Sequence, residues 1–234
     1  MTIDGRQTLA IHHTAPFLVD VFKALLAERL PGIESFHMVD ESLVKEAQRE
    51  GTLTPEVLRR VEVETRLAQD AGADLVLYTC ATISPAADVL RDKISIPLLK
   101  IDEPAAVRAV TLGERIQLIC TSTTAIDGVK SVIEEKALDA GKRVAVATHV
   151  ESKAYAMRRN GDKAGHDRCV VDGAMKLPRD YDVLVLGQAS MAHLAPALEK
   201  ALGVPVLGNT TLCIDAIAER FGTGSRFVTK SPRD

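Results

Sequence analysis

Leu75-Val-Leu-Tyr-Thr-Cys80-Ala-Thr-Ile-Ser-Pro85 decides the reading of this chain. The run of apolar and aromatic residues predicts a buried strand. The small polar run after it holds a thiol, and Pro85-Ala-Ala-Asp-Val-Leu90 predicts the start of a helix. Cys80, Ala81 and Thr82 are thereby presented at the carboxyl edge of the strand, where open α/β sheets place their ligands. The stretch has a counterpart in Asp182-Val-Leu-Val-Leu-Gly-Gln188-Ala-Ser-Met-Ala-His-Leu-Ala-Pro196. An offset of 108 sets Asp74 on Asp182, Ala81 on Ala189, Thr82 on Ser190 and Ile96-Pro97 on Val204-Pro205, with no gap. Cys80 falls on Gln188, and that breaks the match.

Working outward, short strands alternate with helices along the whole chain, a pattern that gives parallel sheets with crossover helices. Strands are expected at 8–11, 33–39, 75–78 and 96–101, and again at 115–120, 144–148, 183–186 and 204–207. Thr54-Pro-Glu is a helix start, a cap followed by Pro at the first helical position. The same offset pairs Ile11 with Ile119, Val21 with Val129 and Phe36 with Val144, which suggests duplication. The expected fold is α/β: two pseudosymmetric lobes, each a parallel sheet flanked by helices, with the site in the cleft between them. Residues 1–111 with about 208–234 are assigned to lobe one and 112–207 to lobe two. The polar tail from Gly222 is expected to be partly mobile.

At 234 residues, 46% hydrophobic and 3% aromatic with no Trp, the chain can build a sizeable aliphatic core. A net charge of −3 and the lack of basic clusters argue against a nucleic-acid partner. No apolar run approaches the roughly 18 to 20 residues of a membrane helix. The start has no signal-peptide pattern, so a cytoplasmic setting with four reduced cysteines is expected. No Cys-x-x-Cys pair suggests zinc, His12-His13 has no ligand spacing to match it, and no Gly-x-Gly-x-x-Gly follows a strand; neither metal nor cofactor is expected.

The strand ends resemble those of the aspartate/glutamate racemase superfamily, which includes hydantoin racemases, maleate isomerase and arylmalonate decarboxylase. Thr79-Cys80-Ala81-Thr82 is similar to the family's first Cys-Asn-Thr element. Thr121-Ser-Thr-Thr124 resembles the Thr-x-x-Thr element that holds a substrate carboxylate, and Gly187-Gln-Ala-Ser190 stands where the family has Gly-Cys-Thr. The resemblance implies a cofactor-independent isomerase acting at the α-carbon of a small carboxylate or amino acid, and a homodimer. Cys80 is the expected catalytic residue. Gln188, Thr82, Ala81, Thr121, Thr124, Ser190 and His12 are expected to bind substrate.

The departures carry chemistry. Racemisation needs an acid and a base on opposite faces of one carbon, and an amide has no accessible ionised form. A two-thiol mechanism is therefore excluded. One-sided chemistry remains, with Cys80 as proton carrier or nucleophile and Gln188 orienting the substrate. His12, His13, Asp40, Glu41 and His149 are the candidates for a second-face group. A one-cysteine decarboxylase or lyase is the alternative activity, and a non-catalytic carboxylate-binding protein is the second alternative. A thiolate-forming Cys80 is expected to alkylate well below pH 8. The bland readings are a small buried thiol at Cys80, plain helix caps at Thr121–Thr124 and Asp40, and packing for Cys120, Cys169 and Cys213.

Overall fold

In the computed structural model, residues 7–222 are described; the rest of the tail that sequence reading expected to be mobile lies outside them. Lobe one is a parallel sheet of β1 (Thr8–His13), β2 (Glu34–Val39), β3 (Leu75–Tyr78) and β4 (Leu98–Lys100), in the order β2-β1-β3-β4. Lobe two repeats it with β5 (Arg115–Cys120), β6 (Ala145–Val150), β7 (Val183–Leu186) and β8 (Val206–Gly208), ordered β6-β5-β7-β8. The two-lobed α/β fold read from the sequence is therefore present.

The helices are α1 (Phe17–Arg29), α2 (Glu41–Glu50), α3 (Pro55–Asp70), α4 (Ala86–Leu90), α5 (Glu103–Leu112), α6 (Thr123–Asp139), α7 (Ser152–Arg159), α8 (Lys163–Lys176), α9 (Ala195–Leu202) and α10 (Asn209–Arg220). Local chemistry sets their ends. Thr54 accepts the Val57 N–H at 3.2 Å and Pro55 opens α3. Asp74 and Asp182, just ahead of the two central strands, accept the Thr8 N–H at 2.8 Å and the Arg115 N–H at 2.9 Å. Each thus pins the start of the neighbouring strand, which explains why an aspartate precedes both.

The internal repeat is less regular than one offset allows. Val76 lies opposite Leu98 as Leu184 lies opposite Val206, and 108 holds for these strands. In the first strands, Leu9 lies opposite Leu75 and Ile116 opposite Val183, so Leu9 corresponds to Ile116, an offset of 107. Ser35, opposite Leu9, corresponds to Val146, opposite Ile116. The expected pairs Ile11–Ile119 and Phe36–Val144 are corrected accordingly. A one-residue slip matters because it exchanges the two faces of a strand.

Packing crosses the expected division of the chain at one helix. The sheet of lobe one is covered on one face by α1 and α10, through Leu18, Phe22, Ile214 and Ile217, and on the other by α3 and α4. The sheet of lobe two is covered by α6 and by α5, whose Ala106, Ala109 and Val110 pack with Ile116 and Val129. Helix α5, expected with lobe one, thus follows that lobe's last strand but completes the other core. Its small alanine face fits closely against α6. Helix α10 makes the reverse crossing.

The lobes also touch tightly at the cleft floor. Ala81 packs in the core of lobe two and Ala189 in that of lobe one. A Cβ on Gly128 of α6 would lie 2.1 Å from the Ala81 carbonyl oxygen, so only glycine permits this approach.

Candidate active site

The carboxyl ends of β3 and β7 face a cavity of about 390 Å³ between the lobes. Cys80, Ala81 and Thr82 line it from lobe one, and Thr121, Gln188 and Ser190 from lobe two. These expected residues are brought together. Thr124 and His12 are not among the lining groups. Thr124 lines a second hollow behind the first and meets the Thr82 hydroxyl at 3.0 Å. His12 is turned from the cavity toward α3, where its imidazole is hydrogen-bonded to Glu64 and set edge-on to Tyr78. Strand alternation is the reason: neighbouring histidines of one strand face opposite sides of the sheet.

The other second-face candidates are also occupied. His13 is buried, with Nδ1 2.9 Å from the Thr79 hydroxyl and Nε2 2.9 Å from His37. Burial and then the neighbouring His37 and His12 bring its pKa down to about 3, so it is neutral. Asp40 caps α2, accepting the Ser42 N–H at 2.7 Å. His149 lies 3.4 Å from Glu151. Of the five, Glu41 alone lines the cavity.

Cys80 sits in a nest of donors. Burial pushes its thiol up; the Thr14 hydroxyl, the N–H groups of Ile83 and Thr82 and the Thr82 hydroxyl pull the other way without reversing the shift. Burial thus favours the thiol over the thiolate, the opposite direction to the one that alkylation well below pH 8 requires. The same donors would hold an anion placed beside the sulfur. Gln188 is fixed within its own lobe: its Oε1 accepts the Thr121 N–H at 2.5 Å and the Thr121 hydroxyl at 2.8 Å. Gly187 before it leaves no room for a side chain, since a Cβ would lie 2.6 Å from Cys120 Sγ.

A roof of α2 and α7 closes over the cleft, and sequence reading missed it. The Tyr155 hydroxyl of α7 donates to Gln48 Oε1 of α2 at 2.8 Å. The Arg158 guanidinium stacks 3.6 Å over the Phe17 ring. Its Nε is buried with no hydrogen-bond partner. Burial lowers its pKa, with Asp167 opposing, but a guanidinium stays charged at any working pH. Lys45 and Arg159 also line the cavity, against the single acid Glu41, which lies 3.7 Å from Lys45. The cavity is thus cationic at its roof and rich in donors at its floor, an arrangement suited to an anion. Among the described residues no group of three or more His, Cys, Asp or Glu is placed to hold a metal ion, and no helix is long and apolar enough to cross a membrane.

Comparison with known proteins bears on the fold and the family. The Asp/Glu/Hydantoin racemase family profile matches residues 19–217. A hydantoin racemase of Rhizobium meliloti is 22% identical over 161 residues, spanning 69% of this chain and 66% of that protein, just under two thirds of its length. Among solved structures, glutamate racemase from Francisella tularensis in complex with D-glutamate superposes with a TM-score of 0.69 at 17% identity, covering 99% of this chain and 87% of the other. Picrophilus torridus aspartate racemase gives 0.68 at 14% identity, covering 92% and 94%. At these identities the structural likeness speaks for the fold, and the family match covers most of the chain. The protein belongs to the Asp/Glu/hydantoin racemase family.

Proposed function

We propose that this member of the Asp/Glu/hydantoin racemase family moves a proton at the carbon next to a small carboxylate, using Cys80 from one face and no cofactor. One observation carries the reading. Cys80 lies in the cleft among four donor groups, while the equivalent position holds Gln188, tied to Thr121. The remaining titratable groups of the cavity wall, Glu41, Lys45, Tyr155, Arg158 and Arg159, belong to the roof helices rather than to strand ends.

In the isomerase direction, a substrate carboxylate enters the donor nest. The Cys80 proton passes to water as the sulfur becomes a thiolate. The thiolate then takes the α-proton, and the C–H electron pair moves into the carboxylate to give an enediolate. The Thr82 and Ile83 N–H groups and the nearby hydroxyls stabilise that charge. Return of the proton from Cys80 restores the starting hand, and delivery from water on the far face inverts it. Arg158, whose buried Nε has no hydrogen-bond partner, attracts the carboxylate-bearing substrate into the cleft.

The raised thiol pKa favours a second reading. A protonated Cys80 is already an acid. In a decarboxylation the C–C bond to one carboxylate breaks, carbon dioxide leaves, and the Cys80 proton is added to the carbon that keeps the electron pair. The product then has one hand.

Incubation in deuterium oxide with both enantiomers of aspartate and glutamate, a 5-substituted hydantoin and 2-ethyl-2-methylmalonate separates these readings by proton NMR and chiral chromatography. Deuterium entering at Cα with inversion supports the isomerase, and single-handed loss of carbon dioxide supports the decarboxylase. Cys80→Ser is expected to lower either rate at least about 100-fold. Full turnover in that variant overturns the proposal, and binding with neither reaction leaves a carboxylate-binding protein.

A further inference from the structure

A second hollow of about 240 Å³ lies behind the cleft, between the loop that follows α2 in lobe one and helix α6 of lobe two. Thr52, Thr82, Thr124, Asp127 and Ser131 stand on its walls. Thr52, Asp127 and Ser131 are exposed, so the hollow opens on bulk water. Thr82 lines both the hollow and the cleft, and it is buried between them. Its hydroxyl is one of the donors around the Cys80 sulfur. The Thr124 hydroxyl lies 3.0 Å from the Thr82 hydroxyl, across the boundary of the lobes. Helix capping does not account for that side chain, because Ser122 holds the cap position of α6.

The chemistry of the cleft asks for a path of this kind. Cys80 has to lose a proton before it can act as a base, and a substrate in the cleft stands between the sulfur and the water on that side. The second hollow lies on the other side of Thr82 and stays open to solvent when the cleft is filled.

We infer that Thr82 and Thr124 form a hydroxyl relay that carries protons between the Cys80 sulfur and the second hollow while substrate occupies the cleft. This rests on the isomerase reading and adds the route by which its acid–base group is discharged and recharged. On discharge the Cys80 S–H bond breaks and its proton goes to the Thr82 oxygen. The Thr82 proton goes to the Thr124 oxygen, and the Thr124 proton goes to water in the hollow. Sulfur keeps the electron pair as a thiolate, and the water becomes hydronium. Recharging is the same set of transfers reversed, and both hydroxyls end as they began. A hydroxyl donates and accepts at once, as each link requires. The Asp127 carboxylate on the wall of the hollow favours the arriving positive charge. Thr82 touches the reacting sulfur; Thr124 acts through Thr82 and is a positioning residue.

Incubation in deuterium oxide with each enantiomer of aspartate and glutamate tests the relay, read early by chiral chromatography with mass detection. Deuterium in the inverted product comes from water on the far face. Deuterium in substrate that keeps its hand comes from Cys80, whose proton must have been exchanged while the enediolate lasted. The ratio of retained-hand to inverted-hand deuterium therefore reports the relay. Thr124→Val keeps the shape and removes the hydroxyl, and it is expected to lower this ratio about tenfold or more. Thr124→Ser keeps a hydroxyl and is expected to restore the ratio. Thr124→Ala provides a second route should the valine variant fold poorly. A bond that merely ties the lobes together would lower both deuterium signals alike and leave the ratio standing. That outcome, or a ratio as low with serine as with valine or alanine, overturns the inference while leaving the isomerase reading intact. Inversion of none of these probes by the wild-type protein sinks that reading and this inference with it.

Discussion

The two lobes address their central residue in the same way and place different chemistry there. In lobe one, the hydroxyl of Thr14, just past β1, is directed at the Cys80 sulfur. In lobe two its counterpart, Thr121 just past β5, is directed at Gln188 Oε1 at 2.8 Å. The hydroxyl that favours an ionised sulfur on one side is spent on a neutral amide on the other. Duplication has kept the scaffold of donors, and a change of one side chain has made the cleft chemically one-sided. A second contrast lies beneath it: His13 ends β1, where Cys120 ends β5.

The largest effect that could break this comparison is an exchange of roles. Cys80→Ser should lose about 100-fold to 10,000-fold in Cα deuterium exchange, the usual worth of a positioned acid or base, whereas Gln188→Ala should lose far less. Matched losses in the two variants would mean that the lobes act as equals. The next effect is on stability in acid. His13 has a folded pKa of about 3, below its ordinary value near 6.5, so the unfolded chain binds its proton first. Its contribution is therefore intact above about pH 6.5 and is lost as pH falls toward 3, on the order of a few kcal/mol. Amide exchange at pH 4 to 5 should show β1 opening before β5, and simultaneous opening would remove the contrast. The smallest effect is at the roof, where the lobes meet. Tyr155→Phe deletes the bond to Gln48 and should cost about 0.5–1.5 kcal/mol in thermal unfolding. A larger loss would show that the roof, and not the floor, holds the lobes together.

Much of this was legible in the sequence because strands buried on both faces read as unbroken apolar runs. Leu75–Tyr78 and Val183–Leu186 are such runs, and the residue after each is set at the cleft by its strand. Helix α7 was not legible. Ser152-Lys-Ala-Tyr-Ala-Met-Arg-Arg159 buries Ala154 alone, so it lacks the apolar period that marks a helix. With it went Tyr155 and Arg158; two adjacent arginines soon after a strand end were the one available signal. The placement of His12 failed for a different reason. In His12-His13 the residue types are identical, and only strand parity, fixed by the register with β3, decides which ring faces where. The place of Thr124 could not be read either, because its partner Thr82 lies 42 residues away in sequence, on the other lobe.

The crossing of α5 and α10 has a consequence for how the chain can be divided. A fragment cut at the midpoint would keep a helix whose alanine face belongs on the missing sheet, and would lack the helix carrying Ile214 and Ile217 that shields its own. Neither half is then a self-sufficient folding unit. Co-expressed halves should instead reassemble by trading helices, and thermal unfolding of the intact chain at neutral pH, where His13 is neutral in both states, should proceed as one cooperative event.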